Sequence, residues 1–358
     1  MVTLALAHRI WQTRNKIHHI PRNGGWGGSA MDNSDIQELV NTGLTLDLEQ
    51  EAVRISDFIR KLLRTQLHRR GLIVAISGGI DSSVCLALAV HTLGPKKVFG
   101  LLLPETDSSS ESVTLGQQMV DFFGIHHEIK SIAPTLEAIG CYEQRDAAIR
   151  EIFPGYGSNW KNKIVISGAT TGTINHFHLV VQTPEGEQLK ERLALKQYLQ
   201  IVAATSFKQR IRKNLEYFHA DRLNYAVIGT PNRLEYDQGF FVKNGDGAAD
   251  IKPIAHLYKT QVYAIAKYLG LPDNICNTTP TTDTYSLEQG QDEFYFALPY
   301  QQMDAALWCY NHQVPVRGLA AHLQISKKQA KAVYHDIESK RKATAYLHMP
   351  PCIIEDIF

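Results

Sequence analysis

The chain has no CxxC pair. Its five cysteines, Cys85, Cys141, Cys276, Cys309 and Cys352, are scattered over 358 residues. That suggests neither a cysteine zinc site nor a redox pair, and the odd, separated set predicts reduced thiols in a cytoplasmic protein. No apolar stretch is long enough to span a bilayer, so no membrane partner is expected. There is no charge excess: the formal net charge is +1, which gives no global signal for nucleic acid or a membrane surface. Internal repeats, low-complexity tracts and a Gly-Lys-Ser/Thr phosphate loop are also absent. What remains is a chain that is 44% hydrophobic and 20% charged, as expected of a globular enzyme with a sizeable core.

The first thirty residues are basic, Gly-rich and broken by Pro21, without the apolar centre of a signal peptide. They read as a disordered arm or an over-long start, with Met31 as the alternative first residue. A transit peptide is the other reading, because the stretch from Ile10 to Ala30 has no acidic residue. We place the arm at 1–45 and one domain at 46–358.

From Leu46 the pattern becomes regular. Apolar residues at helical spacing run to Gln66, then LIVAIS reads as a buried strand. SSVCLALAVHTLG reads as a helix stopped by Gly94, VFGLLLP as a strand, SESVTLGQQMVDFFGI as a helix and HHEIKSI as a strand. This alternation predicts an α/β fold with a doubly wound parallel sheet. Residues 161–195 break the rhythm and predict an inserted β-hairpin or small sheet. Helical spacing returns over Tyr198–Ala220, YAVIG is a further strand, and LYKTQVYAIAKYLGLP a further helix. Asp273–Gln291 is polar and turn-rich, and the C-terminal part is helical.

Where the first strand meets its helix stands AISGGIDSSV, Ala75–Val84. A turn there exposes N–H groups at a helix N-terminus, which attract phosphate oxygens. Gly78 and Gly79 permit close approach, Ser77, Ser82 and Ser83 supply hydroxyls, and Asp81 suits Mg²⁺ beside a phosphate. The stretch resembles the SGGxDS pyrophosphate loop of the ATP pyrophosphatases, whose fold is adenine nucleotide alpha hydrolase-like. That family cleaves ATP between the α and β phosphates.

The rest of the chain narrows the resemblance. Gly229-Thr230, Glu235, GFFVKNGDGAADIKPI and the LYKTQV helix resemble the NAD synthetases. So do FKQRIR at Phe207–Arg212, PTTD at Pro280–Asp283, GQDE at Gly290–Glu293, SKRK and the terminal IIEDIF. The resemblance covers 46–358 except the insert and implies an AMP-forming ligase. It implies ATP contacts at Ser77, Gly78, Gly79, Ile80, Asp81, Ser82, Ser83, Thr230, Lys259 and Thr281, with Asp81 and Lys259 catalytic. Mg²⁺ would be held by Asp81 and Glu235. Arg210, Lys243, Asp250 and Lys340 match positions used for the dinucleotide acid, deamido-NAD. The plainer accounts are an exposed helix lysine for Lys259 and surface ion pairs for the last four. At Asp107 to Ser110 a ligand-facing turn and an ordinary helix cap are equal readings.

Some positions depart from the family pattern: Pro231-Asn232-Arg233-Leu234 after Gly-Thr, Ser206 before the FKQR lysine, and Ser339 before Lys340. These lie near the substrate, so a different carboxylate stays open, as does a non-catalytic scaffold. The insert is accordingly expected to bear on acid-substrate use more than on ATP binding. A tRNA-thiolating enzyme would share the loop but should show catalytic cysteines and a basic RNA face. Only 76 residues precede Ser77, too few for a nitrilase-like amidase. The expected nitrogen source is therefore ammonia, free or from a separate glutaminase. The resemblance implies a homodimer.

Overall fold

Four short apolar runs form a wholly parallel sheet: β1 (Leu72–Ala75), β2 (Val98–Leu102), β3 (His126–Ile129) and, from much later in the chain, β7 (Ala226–Ile228). Their spatial order is β3-β2-β1-β7, with Leu72 beside Val98 on one side and Ala226 on the other. The computed structural model describes residues 33–167, 176–277, 284–290, 295–296 and 298–355.

A parallel sheet must be covered on both faces, which is why its strands are continuously apolar. Leu72 and Val74 pack with helices α2 (Leu48–Leu62), α3 (Ile80–Leu93) and α4 (Ser110–Phe123). Ile73, Leu101 and Val227 pack on the opposite side, against α5 (Ala133–Ala138), α6 (Cys141–Arg150) and α7 (Leu195–Leu223). α3 is buried on nearly every side, so Cys85 sits fully enclosed, as its apolar helix predicts. The chain leaves β1 toward β2 and reaches β7 on the other flank. A crevice therefore opens beyond the carboxyl ends of β1 and β7, the place where such sheets bind ligands.

The insert is a sheet of three strands rather than a hairpin: β4 (Lys161–Ser167), β5 (His176–Gln182) and β6 (Gln188–Arg192), antiparallel in that order. β6 has the sequence QLKER and is exposed along most of its length. It carries no apolar alternation for a sequence pattern to detect.

The N-terminal boundary also moves. Residues expected as arm up to 45 include helix α1 (Asn33–Leu44), whose Ile36, Leu39 and Val40 enter a core with Trp308. The contact is close: a Cβ at Gly43 would lie 2.3 Å from the Trp308 ring. Residues 1–32, including Met31, lie outside the described residues. Trp308 belongs to α11 (Tyr300–Asn311), which with α12 (Val316–Leu323) and α13 (Lys327–His348) makes the helical C-terminal part. α8 (Arg233–Gln238), α9 (Lys259–Tyr268) and α10 (Asp273–Cys276) complete the set. No helix among the described residues is long and apolar enough to cross a membrane.

Glu51 ties α2 to the segment before α9 by accepting from His256 at 2.6 Å, and it also binds Arg54. Burial opposes its charge, but the hydrogen bonds from His256 and Arg54 outweigh this and lower its pKa from 4.5 to about 2. A lowered folded-state pKa stabilises above the unfolded value and is lost as pH falls through the folded one. Wild-type stability should therefore decline between pH 4.5 and about 2 through this group. Glu51→Gln should cost about 1–2 kcal/mol at pH 7, allowing for solvent screening, and flatten that acid limb in urea titrations.

Candidate active site

The turn after β1 shows why its residue types are needed. Gly78 has φ +79°, and a Cβ there would lie 2.6 Å from the Ser112 carbonyl, so only glycine fits. Gly79 has ordinary extended geometry, φ −76°, and serves as the N-cap of α3. No side chain caps that helix, which leaves its N-terminus open toward the crevice. The serines act mainly on the turn itself. Ser82 Oγ donates to Gly79 O at 2.9 Å, and Ser77 Oγ accepts from Gly79 N–H at 3.3 Å. Ser77 and Ser82 line the crevice, whereas Ser83 is fully buried behind it.

Charge converges on the same end of α3. Lys259, first residue of α9, forms an ion pair with Asp81 and is only 1% exposed. It is not the exposed helix lysine of the plainer account. Burial opposes its charge, but the carboxylates of Asp81 and Glu235 outweigh this and hold its pKa above the ordinary lysine value. Asn232 joins the two acids. Its Nδ2 donates to Asp81 Oδ1 at 3.2 Å, and its backbone N–H donates to Glu235 Oε2 at 3.0 Å. The second bond is half of a capping box that opens α8. Asp304 on α11 fixes Lys259 from behind, accepting from the N–H groups of Lys259 (3.1 Å) and Thr260 (2.7 Å). It caps α9 from a distance of 45 residues in sequence.

The crevice has a volume of about 1170 Å³, large for one small ligand and sufficient for two nucleotide-sized ones. Ser77, Gly78, Gly79, Ile80, Asp81, Ser82, Thr230, Glu235 and Lys259 all line it. Thr281 lies outside the described residues. Arg210, Lys243, Asp250 and Lys340 do not line it. Arg210 Nε donates to Lys243 O at 3.3 Å on the outer surface. Lys243 Nζ reaches the carbonyls of Tyr346 and Met349 at the end of α13. Asp250 accepts the Val227 N–H at 2.7 Å and so helps set where β7 runs. Lys340 donates to Asp336 and to the Tyr295 carbonyl, both at 2.6 Å. Asp246, half-buried in the wall, accepts from Val242 N–H at 2.8 Å.

Among the described residues, no group of three or more His, Cys, Asp or Glu side chains could hold a metal. Two carboxylates are nevertheless enough for Mg²⁺, which is commonly bound through only one or two of them. Asp81 and Glu235 supply that pair.

Both features occur at 107–110: Asp107 and Ser108 to Ser110 line the crevice, and the turn also caps a helix. Ser109 is the N-cap of α4, accepting from Ser112 N–H at 3.0 Å. Asp107 instead enters a buried ion cluster. Lys208 Nζ meets Asp107 Oδ2 at 2.5 Å and Glu105 Oε1 at 3.0 Å, and Arg145 also pairs with Asp107. Burial alone would raise the Asp107 pKa, but Lys208 and Arg145 hold it below the usual value. Sequence reasoning missed this cluster and the Asp304 cap, because their partners lie 38 or more residues apart.

A family model described as NAD synthase matches residues 51–166 and 170–345. An NH3-dependent NAD+ synthetase of Rhizobium meliloti is 54% identical over 90% of this chain and 97% of its own. One from Rhizobium rhizogenes is 52% identical over 89% and 97%. Among solved structures, an NH3-dependent NAD synthetase of Campylobacter jejuni aligns with a TM-score of 0.57 at 21% identity, over 87% of this chain and all of that one. An NMN synthetase of Francisella tularensis aligns equally well, at 20% identity over 88% and all of that chain. At such identities the structural likeness speaks for the fold alone.

Lys208 neutralises two buried carboxylates, so its removal should be severe. Lys208→Met is expected to lower unfolding stability by about 3–5 kcal/mol, read from urea midpoints. A loss below about 1 kcal/mol would show that the cluster does not need the ammonium.

Proposed function

Because this chain belongs to the NAD synthase family, we propose that its crevice joins ammonia to the carboxylate of deamido-NAD at the expense of ATP. The products are NAD, AMP and pyrophosphate. The observation that carries this reading is the meeting of Asp81, Glu235 and buried Lys259 at the uncapped N-terminus of α3.

A carboxylate is a poor electrophile. Attack of its oxygen on the α-phosphorus expels pyrophosphate and leaves an acyl-adenylate. Ammonia then attacks the acyl carbon, and AMP departs with the former carboxylate oxygen. The Ser77–Ser82 turn binds phosphate oxygens through the open N–H groups of α3 and its dipole. Lys259 places a fixed positive charge where the pyrophosphate gathers negative charge, so little reorganisation is needed as the bond breaks. Thr230 contacts the nucleotide. Asp81 and Glu235 would hold Mg²⁺, which would supply positive charge beside the phosphates.

Arg210, Lys243, Asp250 and Lys340 belong to the dinucleotide acid in this reading. All four lie outside the crevice and are held by bonds within the chain, so their acid role and the homodimer rest on the family resemblance alone. The scaffold alternative loses its basis, since the three charged residues are present and paired. The identity to ammonia-dependent relatives favours deamido-NAD over another carboxylate.

The wild-type chain with ATP, Mg²⁺ and ammonium should form AMP and NAD in equal amounts only when deamido-NAD is present. Asp81→Ala should reduce ATP–pyrophosphate exchange by at least about 100-fold while leaving the circular dichroism unchanged. Normal exchange in that variant would remove Asp81 from the phosphate site.

A further inference from the structure

The inserted sheet has one edge occupied in an unusual way. β4 pairs with β5 on one side; on the other run residues 284–290, one wall of the crevice. Asn162 donates its backbone N–H to Ser286 Oγ at 2.9 Å and accepts the Leu287 N–H on its C=O at 3.1 Å. Two residues on, the Ile164 carbonyl accepts from Gln289 Nε2. Between them, Lys163 Nζ donates to the Glu288 carbonyl at 3.1 Å. An edge strand's N–H and C=O groups are a template for another segment, and 284–290 takes that template. The segment alternates as a strand does: Tyr285, Leu287 and Gln289 are buried, Ser286 is half-buried and Glu288 is exposed.

Asn162 itself is out of pattern. It is fully buried on a face whose next member is Ile164. Its Nδ2 donates to Tyr156 Oη at 2.8 Å and to Ser286 Oγ at 3.3 Å, while its Oδ1 has no partner among the described residues. A buried amide with one idle acceptor is costly, and its other contacts give the reason for it. At the opposite end the Thr284 carbonyl accepts from Lys208 Nζ at 2.9 Å, the same ammonium that holds Glu105 and Asp107 at the β2 exit. That loop leads into α4, where Ser112 touches the pyrophosphate turn at Gly78.

We propose that the inserted sheet is a clamp: the free edge of β4 holds residues 284–290 as a preformed wall of the ATP subsite, with Asn162 and Ser286 as positioning residues. This rests on the nucleotide reading above. It assigns the insert to ATP rather than to the acid substrate, the reverse of the expectation from sequence. The link through Lys208 to the β2 exit is the reason.

The test combines hydrogen exchange of the 284–290 segment in the ligand-free full chain with steady-state kinetics. The wild-type segment should exchange slowly without ATP. Ser286→Ala should speed its exchange by about tenfold and raise KM for ATP about fivefold, with kcat within about twofold. Ser286→Thr, which keeps Oγ, should restore both. Exchange at the rate of an open loop in the free wild-type chain would overturn the clamp. So would unchanged exchange in Ser286→Ala, or a rise in KM confined to the acid substrate. A wild-type chain that makes no NAD would refute the functional reading, and the exchange measurement would then decide the clamp alone.

Discussion

Everything at the site depends on one buried ammonium. Lys259 is almost completely removed from water, a position that costs several kcal/mol unless the charge is paired. Asp81 supplies the pair, Glu235 adds to the field, and Asp304 anchors the backbone from which the side chain starts. The elements they come from are far apart in sequence: α3, α8, α9 and α11. Bringing them together requires the sheet order that sets β7 beside β1. The fold therefore sets where the Lys259 charge sits.

The same side chains set the balance of charge at the N-terminus of α3. Asp81 and Glu235 carry two negative charges against the one positive charge of Lys259, so the local sum is −1. In the proposed reading a divalent cation held by the two acids would reverse that sign and, with the N-terminus of α3, make an anion site. This charge balance also accounts for Cys85 as a structural residue: burial first, and then the charges of Asp81 and Glu235, push its thiol pKa well above the ordinary value.

The sequence made the central strands legible because a strand buried on both faces must be a short apolar run. The phosphate turn was legible because glycine and serine at that spacing have few other uses between strand and helix. Its details were not. Only Gly78 of the glycine pair adopts positive φ, and Ser83 faces the core. β6 escaped because a polar edge strand has no period. α1 was assigned to an arm although Ile36, Leu39 and Val40 already had helical spacing. Asn232 stood out only as a departure from the family pattern, and the structure gives it a task between the two acids. Asp304 and Lys208 carried no local signal at all, since their partners come from other parts of the chain.

The central claim is that the crevice activates a carboxylate by joining it to the α-phosphorus of ATP. Oxygen labelling tests this most directly. Deamido-NAD carrying ¹⁸O in its nicotinate carboxylate would be turned over with ammonium, and the products read by mass spectrometry. One labelled oxygen should appear in AMP for each NAD formed. Label in inorganic phosphate with release of ADP, or AMP wholly free of label, would contradict the account.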